Sequence, residues 1–210
     1  MAPAVKVVGI GPGSKDYITT AAKEALAEAQ VLVGGKRLLN ENAMDHHEKF
    51  ELHNNLGEVL DYICDEMHRK QIAVLVSGDT GIFSFATYLR RKLNESEMEF
   101  IPGVSSFQVL FARIKRNWEK AAFFNVHGKM RPNLPEEIKE EELSVLFTGN
   151  KWSPPAVASH LLAEGVEDLT VVVGKNLSYP QEKICWMKLG ELASSTEDWN
   201  NSLLVVFNEK

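Results

Sequence analysis

Ile72-Ala73-Val74-Leu75-Val76 is the segment that most limits the folds open to this chain. Five consecutive apolar residues, rich in branched side chains and too few to span a bilayer, read as a strand buried on both faces. Such a strand needs a sheet covered on each side by other elements. Ala4–Ile10, which runs into a glycine turn, and Val31-Leu32-Val33, closed by Gly34-Gly35, have the same character. Between these runs the spacing becomes helical. Thr20–Gln30 places Ala21, Ala22, Ala25, Leu26 and Ala29 on one face, and Asn55–Arg69 repeats Leu56, Val59, Leu60, Ile63 and Met67. A helix over Gly81–Leu93, a strand over Glu97–Ile101 and a helix over Ser105–Ile114 complete the pattern. Strands alternating with helices predict a mostly parallel sheet.

Beyond a polar stretch at Lys115–Lys120 the character changes. Ala121–Val126 and Leu143–Thr148 read as strands, Glu136–Glu142 as a helical turn, and Pro154–Glu164 as a helix whose first-turn prolines forfeit no hydrogen bond. Thr170–Val173, Lys183–Lys188 and Leu203–Phe207 follow as strands with little helix between them, which predicts a mixed sheet with antiparallel hairpins. The expected organisation is two α/β lobes, residues 1–116 and 117–210, the first mostly parallel and the second mixed. The 44% hydrophobic fraction supplies the cores. A net charge of −6 argues against nucleic acid as a partner, and no signal-like or membrane-spanning segment is evident, so the expected location is the cytoplasm. Two cysteines, Cys64 and Cys185, are too few for a disulfide framework or a four-cysteine metal site.

Three loops follow three expected strands at their C-terminal ends, where open α/β sheets bind ligands. Gly9-Ile10-Gly11-Pro12-Gly13 begins like a dinucleotide fingerprint, yet Pro12 sits where the helix should open and no acidic residue closes the second strand. It is either a tight structural turn or a ligand floor. In Ser77-Gly78-Asp79-Thr80-Gly81, Asp79 suits a helix N-cap and Gly78 allows close approach of a ligand to the backbone. In Pro102-Gly103-Val104-Ser105-Ser106, Ser105 and Gln108 fit a capping box, which leaves the Ser106 hydroxyl available to a ligand. His46, His47 and His53 lack zinc spacing and read as solvated loop residues, so no metal site is expected. His127 ends a strand ahead of Gly128, as either a structural histidine or a ligand group.

Taken in order, these loops resemble the tetrapyrrole methylase family. The series is Val-Gly-x-Gly-Pro-Gly at Val8–Gly13, Ser-Gly-Asp at Ser77–Asp79, Pro-Gly-Val-Ser-Ser at Pro102–Ser106, Phe-Thr-Gly at Phe147–Gly149, and Gly-Lys-Asn-Leu-Ser-Tyr-Pro at Gly174–Pro180. Ile101–Ala112, Asn125-Val126-His127-Gly128 and Leu177–Pro180 look like its precorrin C5-methylating branch. Thr80 stands where that family often has proline, and Lys175 where it often has glutamate.

The resemblance implies S-adenosylmethionine as co-substrate, folded into a cleft between the lobes. Pro12, Gly78, Asp79, Ile82, Ser105, Ser106, Thr148 and the backbone around Leu177 would contact it. Gly11, Gly13 and His127 would face a corrinoid tetrapyrrole, cobalt-precorrin-7 or its cobalt-free counterpart. A homodimer is implied, as is a separate C15-methylating, decarboxylating protein. A sibling enzyme acting on another corrin carbon, a diphthine precursor or ribosomal RNA, and a non-catalytic sensor, stay open. A sulfonium is already an activated methyl donor, so no catalytic side chain is expected, and no substitution is expected to abolish turnover by removing a base. Candidate cations for an acidic substrate are Lys36, Arg37, Arg113, Lys115, Arg116, Lys129 and Arg131, most of them ordinary solvated charges.

Overall fold

A computed structural model gives the fold, with residues 5–208 described. Ala4, the first residue of the expected opening strand, lies outside the described residues. The chain divides into two compact units, one ending at Ser105 and the other beginning at Ser106. The helix over Ser106–Ile114 therefore counts with the second unit, whereas the expected lobe division fell after it.

The first unit contains β1 (Val5–Gly9), α1 (Thr20–Glu28), β2 (Val31–Gly34), α2 (Lys36–Asn42), β3 (Glu48–Glu51), α3 (Leu56–Glu66), β4 (Ile72–Val76), α4 (Ala86–Leu89) and β5 (Met98–Ile101). Its sheet runs β3-β2-β4-β1-β5, and every pairing is parallel. Alternation along each strand feeds two cores. Val5, Val7, Val31, Val33, Val74 and Val76 meet Val59, Leu60 and Ile63 of α3 on one face. On the other, Val8, Leu32, Ala73 and Leu75 meet Ala22, Ala25 and Leu26 of α1 and Leu38 and Leu39 of α2. Helix α1 begins where the Thr19 hydroxyl accepts the Ala22 N–H at 3.1 Å.

Three local expectations are corrected. The helix expected over Gly81–Leu93 is reduced to Ala86–Leu89. Phe83 adopts a left-handed φ of 48°, which breaks a helical ladder, and around it Asp79 takes the Gly81 N–H into a side-chain turn and the Ser84 hydroxyl donates to the Thr80 carbonyl. Second, β3 forms in a stretch read as loop, because its sequence Glu-Lys-Phe-Glu suits a charged sheet edge. Third, His47 is buried. Its Nδ1 accepts the Met44 N–H at 2.9 Å, which leaves Nε2 to donate to the Leu26 carbonyl at 2.9 Å. That imidazole closes the end of α1 onto the turn before β3.

Edge strand β3 is tied to α3. Phe50 stacks on Tyr62 with ring centroids 4.4 Å apart, the Tyr62 hydroxyl donates to Glu48 at 2.6 Å, and Lys70 binds Glu48 at 2.7 Å. Burial, then the Glu48 hydrogen bond, pushes the Tyr62 phenol up to about 12 from its ordinary 10.0. A phenol raised on folding contributes stability that is complete below its unfolded value and is lost as pH climbs through the folded one. The fold should therefore weaken between pH 10.0 and about 12. Tyr62→Phe is expected to flatten that alkaline decline in denaturant midpoints taken across the window. An unchanged slope would show that the phenol is not the titrating group.

The second unit contains α5 (Ser106–Ile114), β6 (Ala121–Asn125), α6 (Leu134–Glu140), β7 (Leu143–Phe147), α7 (Pro154–Ala163), β8 (Thr170–Lys175), β9 (Lys183–Lys188), α8 (Leu189–Ala193) and β10 (Ser202–Phe207). The sheet order is β6-β7-β10-β8-β9. The β6–β7 pair is parallel and the others antiparallel, the mixed sheet expected. Phe124, Leu146, Leu204 and Val173 pack on one face against α6, α7 and α8, the last a short helix the sequence reading did not include. The other face carries Phe123, Val145, Val205, Val172 and Trp186 in one row across the register. Helix α5 reaches elements of this unit through Phe107, edge-on to Phe123 at 4.7 Å, and through Leu110, which contacts Gly174. Among the described residues no helix is long and apolar enough to cross a membrane.

Candidate functional site

Strands β4, β1 and β5 are neighbours, so the loops leaving their C-terminal ends emerge side by side. Their glycines lock them together. A Cβ on Gly103 would lie 2.3 Å from the Gly78 carbonyl oxygen and 2.6 Å from that of Gly9, and one on Gly9 would lie 2.6 Å from the Gly103 nitrogen. Gly11 and Gly78 exchange backbone hydrogen bonds of 3.1 and 2.8 Å, each with a left-handed φ, of 81° and 71°. Three loops, far apart in the chain, thus touch backbone to backbone.

Asp79 supplies the polar tie. One carboxylate oxygen accepts the Gly81 N–H at 2.8 Å and the other accepts the Gly103 N–H at 3.0 Å. Its role is to bridge the β4 and β5 loops, not to cap a helix as the motif suggested. Ser105 is buried against Gly78, while Ser106 opens α5 half-buried. Gly11 and Pro12 are buried and Gly13 half-buried, so the first loop presents chiefly its Gly13 end. Ile82 lies half-buried in the irregular backbone that replaces the expected helix. Thr80 is buried, with its carbonyl held by Ser84.

In the second unit, Thr148 follows β7 directly, and its hydroxyl donates to the Ser202 carbonyl at 2.8 Å. The Thr148 carbonyl faces His127 Nδ1 at 2.9 Å. Leu177 is buried, with its side chain packed on Gly174, so only its backbone can meet a ligand. Asn176 and Ser178 on either side take left-handed φ values of 49° and 73°, which turns the peptide groups of this loop sharply. Lys175 pairs with Glu197 and the Asp198 carbonyl.

The structure brings together Gly11, Gly78, Asp79 and Ser105 in the first unit, and Thr148 with His127 in the second. Sequence reasoning missed Gly9 and Gly103 as close-contact glycines, and Gly149 and Ser202 as supports for Thr148 and His127. The only signal was a glycine at each strand end. Of the candidate cations, Arg37 pairs with Glu41 and the Ser77 hydroxyl, Arg113 with Glu182, and Arg131 with Glu137. Lys36 and Lys129 have no such partner among the described residues.

Comparison with known proteins matches this chain to a family. The profile of the tetrapyrrole (corrin/porphyrin) methylases matches residues 4–193. A protein of Methanocaldococcus jannaschii named probable cobalt-precorrin-7 C(5)-methyltransferase is 34% identical over 90% of this chain and 92% of its own. The cobalt-precorrin-7 C(5)-methyltransferase of Salmonella typhimurium is 28% identical over 97% and 98%. The solved uroporphyrin-III C-methyltransferase of Thermus thermophilus, complexed with S-adenosylhomocysteine, shares the fold with a TM-score of 0.78, at 21% identity over 97% of both chains. With the family profile spanning most of its length and a relative above 30% identity, this chain belongs to the tetrapyrrole (corrin/porphyrin) methylases.

Proposed function

We propose that this chain transfers the methyl group of S-adenosylmethionine to C5 of cobalt-precorrin-7 or its cobalt-free counterpart. The observation that carries the reading is end-to-end similarity to two relatives bearing that name, covering 92% and 98% of their own lengths. The site chemistry agrees. Bound S-adenosylmethionine supplies a methyl already activated on a sulfonium, and an electron-rich ring carbon attacks it without prior deprotonation. The chain then has to align donor and acceptor and exclude water, a contribution on the order of 7–11 kcal/mol at best.

The proposed cofactor contacts in the first unit are Gly78, Asp79, Ile82, Ser105 and the Pro12 turn. Ile82 offers an apolar wall within irregular backbone, which suits an adenosine needing both stacking and peptide hydrogen bonds. In the second unit they are Ser106, Thr148 and the peptide groups around Leu177. Thr148 has spent its hydroxyl hydrogen on Ser202, so it can only accept from a ligand. Gly11, Gly13 and His127 are proposed to face the macrocycle. Homodimerisation, a cytoplasmic location and a separate protein for C15 methylation and decarboxylation belong to the same proposal.

The test is to incubate the protein with purified precorrin intermediates and isotopically labelled S-adenosylmethionine, and to follow product mass and carbon position. One labelled methyl on C5 is the expected product. Label on another carbon would identify a sibling enzyme. Cofactor binding without any transfer would identify a sensor.

A further inference from the structure

We propose that His127 is the group that accepts the proton released when the macrocycle is methylated. The inference rests on the functional reading above and, for the step after bond formation, departs from the expectation that no side chain is catalytic. Replacing hydrogen by methyl on a bridging ring carbon has a fixed balance. The S–CH3 bond breaks as the C–CH3 bond forms, the sulfonium charge passes to the conjugated ring, and the C–H electron pair must return to that ring. One proton leaves and needs an acceptor.

The geometry at His127 is that of an oriented base. A carbonyl oxygen can only accept, so the 2.9 Å contact between Nδ1 and the Thr148 carbonyl places the ring hydrogen on Nδ1. In the neutral ring the lone pair is then on Nε2, which lies on an exposed side chain and has no partner among the described residues. The support behind the ring is rigid. A Cβ on Gly149 would come within 2.7 Å of Nδ1 and 2.5 Å of the His127 carbonyl oxygen, so only glycine admits the imidazole there. The His127 N–H is held by Asn125 Oδ1 at 3.0 Å. Thr148 is anchored through its hydroxyl to Ser202, whose own hydroxyl donates to the Trp199 carbonyl at 2.5 Å.

An imidazole that only filled space would not need its tautomer fixed with the second nitrogen turned outward. His47 shows the contrast, since both of its nitrogens are consumed inside the fold. Once protonated at Nε2, His127 keeps its Nδ1–H bond to Thr148, and the carbonyl dipole stabilises the new imidazolium. The residue also lies two positions past the C-terminal end of β6, which pairs in parallel with β7, at the end of the sheet where α/β folds gather ligands.

The experiment compares wild-type protein with His127→Ala and His127→Gln in steady-state C5 methylation, with S-adenosylmethionine binding and thermal midpoint measured in parallel. The expected result is a fall in kcat of about 100-fold for His127→Ala. Cofactor affinity and midpoint should stay unchanged, and added imidazole should restore part of the rate. His127→Gln should keep the macrocycle KM without recovering kcat. Turnover within a few-fold of wild type, or a loss that tracks weaker cofactor binding and ignores imidazole, overturns the assignment. Absence of any C5 product from the wild-type protein would instead sink the functional reading, and this proposal with it.

Discussion

Gly103→Ala is expected to destabilise the first unit by about 3 kcal/mol, at the upper end of what overpacking costs. The new methyl would lie 2.3 Å from the Gly78 oxygen and 2.6 Å from the Gly9 oxygen. Both obstacles are backbone, so no rotamer change relieves them, and the β1 and β4 loops must move apart. The mutant unit should melt roughly 10 °C lower, and the proposed cofactor site should lose measurable affinity. Gly35→Ala is the control, because no atom lies within 4 Å of a Cβ at that position. Equal melting of the two variants would show that the three loops are not in contact.

Asp79→Asn should produce the second large effect. The carboxylate uses one oxygen for the Gly81 N–H and the other for the Gly103 N–H. An amide of the same shape offers one acceptor and turns its NH2 toward the remaining N–H. One charge-assisted bond is lost and one half-buried donor is left unpaired, together worth about 2 kcal/mol. Because the tie spans two loops, cofactor affinity should fall about tenfold along with stability. Calorimetric titration beside denaturant unfolding reads both. Full affinity in Asp79→Asn would mean that the carboxylate does not organise the site.

The same residue shows what the sequence can and cannot carry. Asp79 read as a helix cap because capping is a local pattern, visible within a few residues. Its partner Gly103 stands on another strand, and only the adjacency of β4, β1 and β5 makes the bond possible. Strands β4 and β10 were legible because burial on both faces demands unbroken apolar runs, and β1 was nearly so, its run interrupted only by Lys6. Strand β3 was not, since its residues answer to solvent at a sheet edge. The helix expected over Gly81–Leu93 failed for a related reason. Its apolar spacing was sufficient, but the left-handed backbone at Phe83 interrupts the helical ladder. Likewise, the loop motifs located the candidate site, while the pairing of His127 with Thr148 appears only once β6 and β7 lie in register.

Strand β1 lies between β4 and β5, and β10 lies between β7 and β8. On a ribosome the earliest strand would therefore emerge with neither neighbour available, and the wait lasts seconds at roughly 5–20 residues per second. The other sheet has the reverse problem, since its middle stays vacant until Phe207 has left the exit tunnel. Each half of the protein must thus protect a greasy, unpaired ribbon during synthesis, and each closes only when its most distant contacts are finally made.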